Sequence, residues 1–587
     1  MRRRRTATSA FLLLFLLAGA LGAAEKPALV VVLSVDQMRN DYLDRFRPWF
    51  GRDGFNRFLE RGARYPEARL RHAATLTCPG HTAIGTGLDP RETGIVANNW
   101  YDAGKARREY CVEDRAAQWV GAPPNAPKIP ILPASPVLIS GDFLGDRLKE
   151  KFPGARVVAV SLKDRAAVPM GGRKADAALW FVREFGRFVT SSFYPPRRSL
   201  LAFNDRLATF WASHKKWDLS GRIPEKDLSR VAFDPPELAR YKESVPGTGD
   251  RFPHSLPGIP NVIESPFGDE LVLELAKYAI HDFHLGHNPA HAPDLLFVGL
   301  SALDYYGHRF GPDSREVADG VVRLDGQLEA FFRWLDGEAG ARSTLVFLTS
   351  DHGMTTIPEV ARAKERARTG KDPNSAGRVD FGSTGDSAPV AQDSPDRLAL
   401  EKHLAKKFGY SLDPMLPNAL EGAILRFEEP IGLYLNRPVL ARRRLAPERV
   451  KEAVRDWLRP RPGVRAAYTN TEVEDGLPAS ESLGVAIERS FRADRSPDVV
   501  VSLRPGWIFR KEPGSTHGGP SEENQRIPLL VWGSGVKPGS WNVRVSPLSI
   551  ARSVAALYGF EAGARDAEVL SSVLGRDEEV RSPASRP

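Results

Sequence analysis

The sequence predicts an α/β fold: a mostly parallel sheet with helices on both faces, plus inserted cap segments. Three observations lead there. Continuous Val/Leu-rich runs at Ala28–Val35, Leu295–Leu300 and Leu345–Leu348 read as strands buried on both faces. Helical patterns at Glu270–His284 and Val317–Leu335 precede the last two, and strand alternating with helix builds a parallel sheet. The 587 residues also exceed what one compact core takes up, so a large core must carry at least one insertion.

The chain opens with a secretion signal over residues 1–24. Arg2–Arg5 form its charged region, Phe11–Leu17 its apolar core, and Gly22-Ala23-Ala24 supply small residues for cleavage. No Cys stands near the cleavage region, which argues against a lipoprotein. The uncharged stretch Thr6–Ala24 reaches the edge of bilayer-spanning length, so an uncleaved anchor is the alternative. Ala28–Val35 then starts the core. Thr77-Cys78-Pro79 leads into Gly80–Thr86, and a Pro near a helix start places Thr77 at a helix N-terminus. The free N–H groups and partial positive charge of that end suit a phosphate. Arg156–Ser161 is the next strand, with Lys163-Asp164-Arg165 past its end, and Asp176–Phe185 has a helical pattern. Pro195–Pro260 is rich in Pro, Trp and charge without a period, which marks a cap excursion over about 186–262. Pro358–Gln392 is polar and Gly/Ser/Asp-rich, a surface connection. A smaller α/β unit follows, with helical Arg397–Lys407 and Pro447–Leu458 around the strand Gly432–Leu435. Asp498–Leu503 and Ile527–Trp532 are expected to return to the core, and Pro547–Tyr558 to close it as a helix. The expected layout is therefore core over 25–357, inserted loop and small unit over 358–485, core again over 486–575, and a disordered tail over 576–587.

Four of the nine excess positive charges are Arg2–Arg5, and the other basic residues are dispersed among acids. That is a mixed solvated surface rather than a nucleic-acid footprint. Export would allow the two cysteines, Cys78 and Cys111, to pair, but spacing leaves a disulfide and two free thiols equally open.

Five segments carry the chemistry: Ser34-Val35-Asp36-Gln37, Thr75–His81, Asp304–His308, Ser350–Gly353 and Ser515–Gly519. Functional groups of open α/β sheets sit past the carboxyl ends of strands, so distant Asp and His residues can meet at one rim. Asp304 and His308, four apart, share one face of a helical turn. Asp351-His352 follows an apolar strand, and His517 stands in a Ser-Thr-His-Gly-Gly turn that permits close backbone approach. Each alone is compatible with a structural role. Together, three Asp and three His make a two-metal site, with a Thr beside it as candidate nucleophile. The dense His281, His284, His287, His291 run begins at a helix end and lacks acids in a ligand pattern, so a solvated or capping role is expected. Cys78 lacks the Cys-x-Pro-x-Arg setting of a sulfatase, because Pro79 follows directly and position 82 is Thr. Trp49, Trp100, Trp180 and Trp211 are read as packing rather than base-stacking residues.

On the stretches SVDQMRNDY (Ser34–Tyr42), TCPGHTAIGT (Thr77–Thr86), IVANNWYD (Ile95–Asp102), SLKDR (Ser161–Arg165), Asp294–Pro312, Leu348–Gly353 and Ser515–Gly519, the chain resembles the alkaline phosphatase superfamily. It is most similar to the bacterial PafA-type phosphomonoesterases, relatives of the nucleotide pyrophosphatase/phosphodiesterases. The resemblance implies an alkaline phosphatase-like core and two zinc ions. Asp36, Asp351 and His352 would hold one, with Thr77 as fourth ligand or facing it. Asp304, His308 and His517 would hold the other. Asn98, favoured over Asn99 by its match to the family pattern, would contact a phosphoryl oxygen, and Lys163 and Arg165 would clamp the rest. Two departures concern the substrate pocket: Thr93-Gly94-Ile95 replaces the familiar His-Gly-Ile, and Gly171-Gly172-Arg173-Lys174 replaces Ala-Gly-His.

The reading implied is an exported phosphatase. It would hydrolyse small-molecule phosphate monoesters through a phosphothreonine, as a monomer without stable membrane insertion after signal cleavage and without nucleic-acid partners. The rivals are a phosphodiesterase or nucleotide pyrophosphatase on the same metals, a non-catalytic metal-binding protein, and a manganese-dependent mutase, against which the secretion signal argues.

Overall fold

The structure, a computed structural model, describes residues 26–574 apart from 245–246, 250, 372–374, 381–394, 412–424, 430–431, 479 and 511–512. The expected signal and tail lie outside the described residues, as does part of the polar connection after residue 370.

Ten strands form the main sheet. In chain order they are β1 (Leu29–Val35), β2 (Ala63–Arg64), β3 (Trp119–Val120), β4 (Val157–Ser161), β5 (Ala177–Val182), β6 (Arg187–Ser191), β7 (Asp294–Leu300), β8 (Thr344–Thr349), β9 (Leu529–Gly533) and β10 (Gly539–Ser540). Their order across the sheet is β10-β2-β9-β8-β1-β7-β4-β5-β6-β3. The central five, β8-β1-β7-β4-β5, are all parallel. The flanks turn antiparallel where β9 meets β8 and β6 meets β5. Ser34 lies opposite both Gly299 and Thr349, so the carboxyl ends of β1, β7 and β8 finish level and form one rim.

The all-apolar strands need two covered faces, and they have them. Leu29, Val31 and Leu33 pack with α3 (Phe267–Phe283) and α5 (Arg315–Leu335) in one buried cluster. Val30 and Val32 belong to the opposite cluster, with residues of α1 (Thr77–Thr86), α2 (Asp164–Gly171) and α6 (Leu548–Tyr558). Between β7 and α5 lies α4 (Ala302–Phe310). Each such Leu or Val contributes about 1.5–3 kcal/mol by leaving water, which is why the sheet can position polar residues at its rim. Among the described residues no helix is long and apolar enough to cross a membrane.

Four local expectations change. Asp176–Phe185 is not a helix: Ala177–Val182 is β5, paired with β4. A six-residue run buried throughout has no period that separates the two states. Arg187–Ser191, inside the expected cap excursion, belongs to the main sheet. Pro358–Thr369, expected as connection, is a helix with Pro at its start, Glu359 in its first turn, Arg366 and Arg368 in its last, and left-handed Gly370 behind them. Val499–Leu503, expected in the core sheet, joins Leu425–Glu429, Gly432–Leu435 and Val464–Thr469 in a separate four-stranded sheet. That sheet has its own core with Leu400, Leu404, Val450 and Val454. An apolar strand does not say which sheet it joins. The cysteines are a disulfide, Cys78–Cys111.

Candidate active site

The rim of the parallel strands supplies most of the site. Asp36 directly follows β1, Lys163 stands two residues past β4, and Asp351-His352 comes two past β8. Asp304 and His308 lie on α4, which starts just after β7. Thr77 is the first residue of α1, and His517 arrives on a loop. α1 approaches the end of β8 so closely that a Cβ on Gly80 would meet the Asp351 carbonyl oxygen at 2.3 Å. The TCPGH glycine thus brings Thr77 against Asp351.

All six expected ligands converge, and they do so as the two expected groups, Asp36/Asp351/His352 and Asp304/His308/His517. Ligand atoms within each group lie within 4.8 Å of one another. His352 Nε2 is 3.4 Å from Asp36 Oδ1 and 3.3 Å from Asp351 Oδ2. His308 Nε2 is 3.2 Å from Asp304 Oδ1 and 3.2 Å from His517 Nε2. Each imidazole is turned by its other nitrogen. Nδ1 of His352, His308 and His517 lies 3.0, 2.8 and 2.7 Å from the carbonyls of Gly353, Ser515 and Thr75. A carbonyl only accepts, so each Nδ1 carries the hydrogen and each Nε2 presents a lone pair to the site. That is how imidazoles are oriented for a metal.

The electrostatics fit cations. Asp36 Oδ1 and Asp351 Oδ2 are buried without a hydrogen-bond partner, an arrangement a metal ion would satisfy. Burial and the Asp351 charge push the Asp36 carboxyl well above the usual range. Against the same burial, the Lys163 ammonium holds Asp304 well below it. Burial pushes His352 down to about 3 and lowers His517, which keeps both rings neutral as ligands must be. The buried Lys163 ammonium lies 2.5 Å from both Asp36 Oδ2 and Asp304 Oδ2, bridging the two groups.

The phosphate-handling residues surround this centre. Thr77 Oγ1 is buried, 3.5 Å from His352 Nε2. Asn98 Oδ1 accepts from the Cys78 N–H at 2.8 Å, so the NH2 end of its amide is the end able to meet a ligand. Asn99 instead pairs with Tyr110 in a hairpin. Arg165, in the first turn of α2, reaches Tyr110 Oη at 3.4 Å, and Tyr110 donates to Asp164 at 2.6 Å. Three supporting residues carried no assigned role in the sequence reading. Gln37 touches a ligand of each group. His81 Nδ1 lies 2.9 Å from the Thr77 carbonyl and 3.2 Å from Asp351 Oδ2, and Tyr110 backs Arg165. The signal for His81 was its i+4 position from Thr77. The other histidine run stays apart from the site: His281 faces Glu338, and His284 takes the left-handed conformation that ends α3. Trp100 and Trp180 are fully buried packing residues.

Against known proteins, the family model described as "Type I phosphodiesterase / nucleotide pyrophosphatase" matches residues 30–527. Alkaline phosphatase PhoK of Sphingomonas sp is 31% identical over 573 residues, covering 95% of this chain and 93% of its own. Alkaline phosphatase PafA of Elizabethkingia meningoseptica is 29% identical, covering 94% of this chain and 96% of its own. The crystal structure of wild-type PafA matches with a TM-score of 0.80 at 28% identity, over 94% of this chain and all of that one.

Proposed function

We propose that this chain, which belongs to the type I phosphodiesterase/nucleotide pyrophosphatase family and is an alkaline phosphatase-type hydrolase of phosphoric monoesters, is exported, holds two zinc ions and works through a phosphothreonine. The observation that carries this reading is the pair of three-ligand groups beside the Thr77 hydroxyl, with Lys163 between them. Asp and His donors favour a borderline cation over magnesium. Zinc, when bound, would lower the pKa of an adjacent hydroxyl or water and offset charge in the transition state.

The chain's own groups define the rest. Thr77 Oγ1 attacks phosphorus in line and gives its proton to solvent. The ester P–O bond breaks on the side of His308 and His517, its electron pair leaves with the alcohol oxygen, and that oxygen takes a proton from solvent. Water then attacks the phosphothreonine along the reverse line and restores the Thr77 hydroxyl. The transferred group keeps three charged oxygens through both steps, so catalysis is largely positioning and electrostatics. Cations held by the two groups would take over the Asp36 and Asp304 carboxylates, and Lys163, which stands between them, would then be available to pair with those oxygens. Arg165 adds a fork held by Tyr110, and Asn98 a neutral donor. Small phosphate esters are the substrate class. Export is supported by the leader pattern and by the disulfide, which suits an oxidising compartment.

The family description also covers diesterases, and the Lys163/Arg165 pair separates the two readings. A diester has one negative charge fewer and an organic group where the pair would sit. A charge-assisted contact contributes about 1.5–3 kcal/mol, and each 1.4 kcal/mol is about tenfold in rate. A Lys163→Ala/Arg165→Ala variant should therefore lose at least about a hundredfold on an aryl phosphate, and much less on a methyl aryl phosphate diester. Equal losses, or a wild type that prefers the diester, would hand the site to the phosphodiesterase reading. A chain that stays inert with zinc added would favour a metal-binding protein.

A further inference from the structure

Position 37 combines a costly backbone with a costly burial. Gln37 has φ 69°, the left-handed region that a non-glycine side chain rarely takes, and it is fully buried. Such a conformation persists when the surroundings over-determine it, and it collects at functional sites. The contacts show what imposes it. The Gln37 backbone N–H donates to Asp351 Oδ1 at 3.2 Å, in one ligand group. Its side-chain Nε2 donates to Asp304 Oδ1 at 2.7 Å and reaches the Asp304 carbonyl at 3.3 Å, in the other group. The left-handed turn after Asp36 is thus what lets one residue, adjacent to a ligand of the first group, reach a ligand of each. The opposite side is shaped to admit the amide. A Cβ on Gly307, between Asp304 and His308 on α4, would stand 1.8 Å from Gln37 Oε1.

We propose that Gln37 is a positioning residue that fixes the Asp304 carboxylate and ties the second metal centre to the first. This rests on the two-metal reading of the site. Oδ1, held by the amide, is also the oxygen 3.2 Å from His308 Nε2, so Gln37 fixes the oxygen that faces the histidines of the second group, while Oδ2 stays paired with Lys163. The Asp351 contact uses only the backbone, so it survives loss of the side chain. Outer partners of this kind typically carry a 10- to 100-fold effect on metal affinity. The loss should fall on the Asp304/His308/His517 centre alone.

The test is zinc affinity, measured by chelator competition on the purified mature chain, for wild type, Gln37→Gly and Gln37→Ala. Wild type is expected to show two binding steps. Both variants should weaken one step by roughly 10- to 100-fold and leave the other within about twofold. Glycine adopts φ 69° without steric conflict whereas alanine does not, so metal-free Gln37→Gly should melt no lower than metal-free Gln37→Ala while showing the same affinity defect. A purely structural role would instead make the affinity loss follow the melting temperature. A Gly307→Ala variant, which evicts the amide without altering Gln37, should reproduce the selective loss. Two unchanged steps in Gln37→Gly, or equal weakening of both, would overturn the proposal. A wild type that binds fewer than two ions would overturn the two-metal reading itself, and this inference with it.

Discussion

Thr77 stands where three constraints meet: the first turn of α1, the 3.5 Å approach of His352 Nε2, and the carbonyl contact to His81. Its hydroxyl is the one in the TCPGH stretch placed ahead of Pro79 and facing the ligand groups. Thr77→Ala should therefore lower phosphate release from an aryl phosphate by at least about a thousandfold, the scale of removing a covalent route. The six Asp and His ligands remain in that variant, so elemental analysis should still find two metals per chain. A trapped phosphoenzyme that maps to Thr75 or Thr82 would move the nucleophile elsewhere. The ligands could be read from the sequence because each Asp or His stands in a short motif near a strand-like run, or in a glycine-rich turn. Gln37 could not. An amide's role depends on what it faces, and its partner Asp304 lies 267 residues away in the chain. His81 was legible as part of a motif but not as a support for Asp351, since that contact exists only once α1 packs against the end of β8.

At the scale of elements, periodic and capped segments were readable and short apolar runs were not. α3 and α5 have long amphipathic repeats, whereas β5 is six buried residues that a helix could equally supply. One junction between elements carries a pH signature. Asp269 on α3 accepts from the Ala302 N–H at the start of α4 at 2.9 Å, while its second oxygen is buried without a partner. Burial pushes this carboxyl up to about 7, opposed by the Ala302 N–H and Lys163. The folded chain thus keeps a proton that the unfolded chain releases near pH 4. Stability associated with Asp269 is complete below that pH and is lost as pH rises towards 7. Asp269→Asn stays neutral and retains the accepting oxygen. Its stability relative to wild type should rise by up to about 1.4 kcal/mol per pH unit between pH 4 and 7, then level off. Denaturant titrations across pH 4–8 would check it, and a constant difference would refute it. The disulfide joins a second pair of elements around Asn98: the Cys78 N–H donates to its side chain and the Cys111 N–H to its carbonyl. Closing a loop of 33 residues stabilises by about 3–4 kcal/mol in the chain-entropy account. Cys78→Ser/Cys111→Ser should lose about that much, and reductant should then have no further effect on its melting.

Across the whole molecule, the site is a property of the completed sheet. Its ligands run from Asp36 to His517 and depend on β1, β7 and β8 finishing level. The first group is drawn from residues 36–352 and the second from 304–517, separations that only folding closes, so the unfolded chain offers no comparable site. A metal that binds only the folded state stabilises it by RT ln(1 + [L]/Kd), about 2.7 kcal/mol at a hundred times Kd. Three buried carboxylates crowd that rim: Asp36 and Asp304 share one ammonium, Lys163, and Asp351 lies against His81 and His352. Mutual repulsion then acts at the rim that holds the strands together. Chelation should consequently abolish turnover and also lower the melting temperature by several degrees, the second effect being independent of any substrate. Zinc should restore both, saturating near two equivalents per chain, whereas magnesium should restore neither because it prefers oxygen donors and octahedral geometry. An Asp36→Asn/Asp304→Asn variant separates the causes. It removes two of the buried charges and a ligand from each group, so its melting temperature should barely respond to chelator or zinc. Full activity in magnesium alone, saturation at one equivalent, or a wild-type melting temperature indifferent to chelation would each contradict a two-zinc centre built by the sheet as a whole.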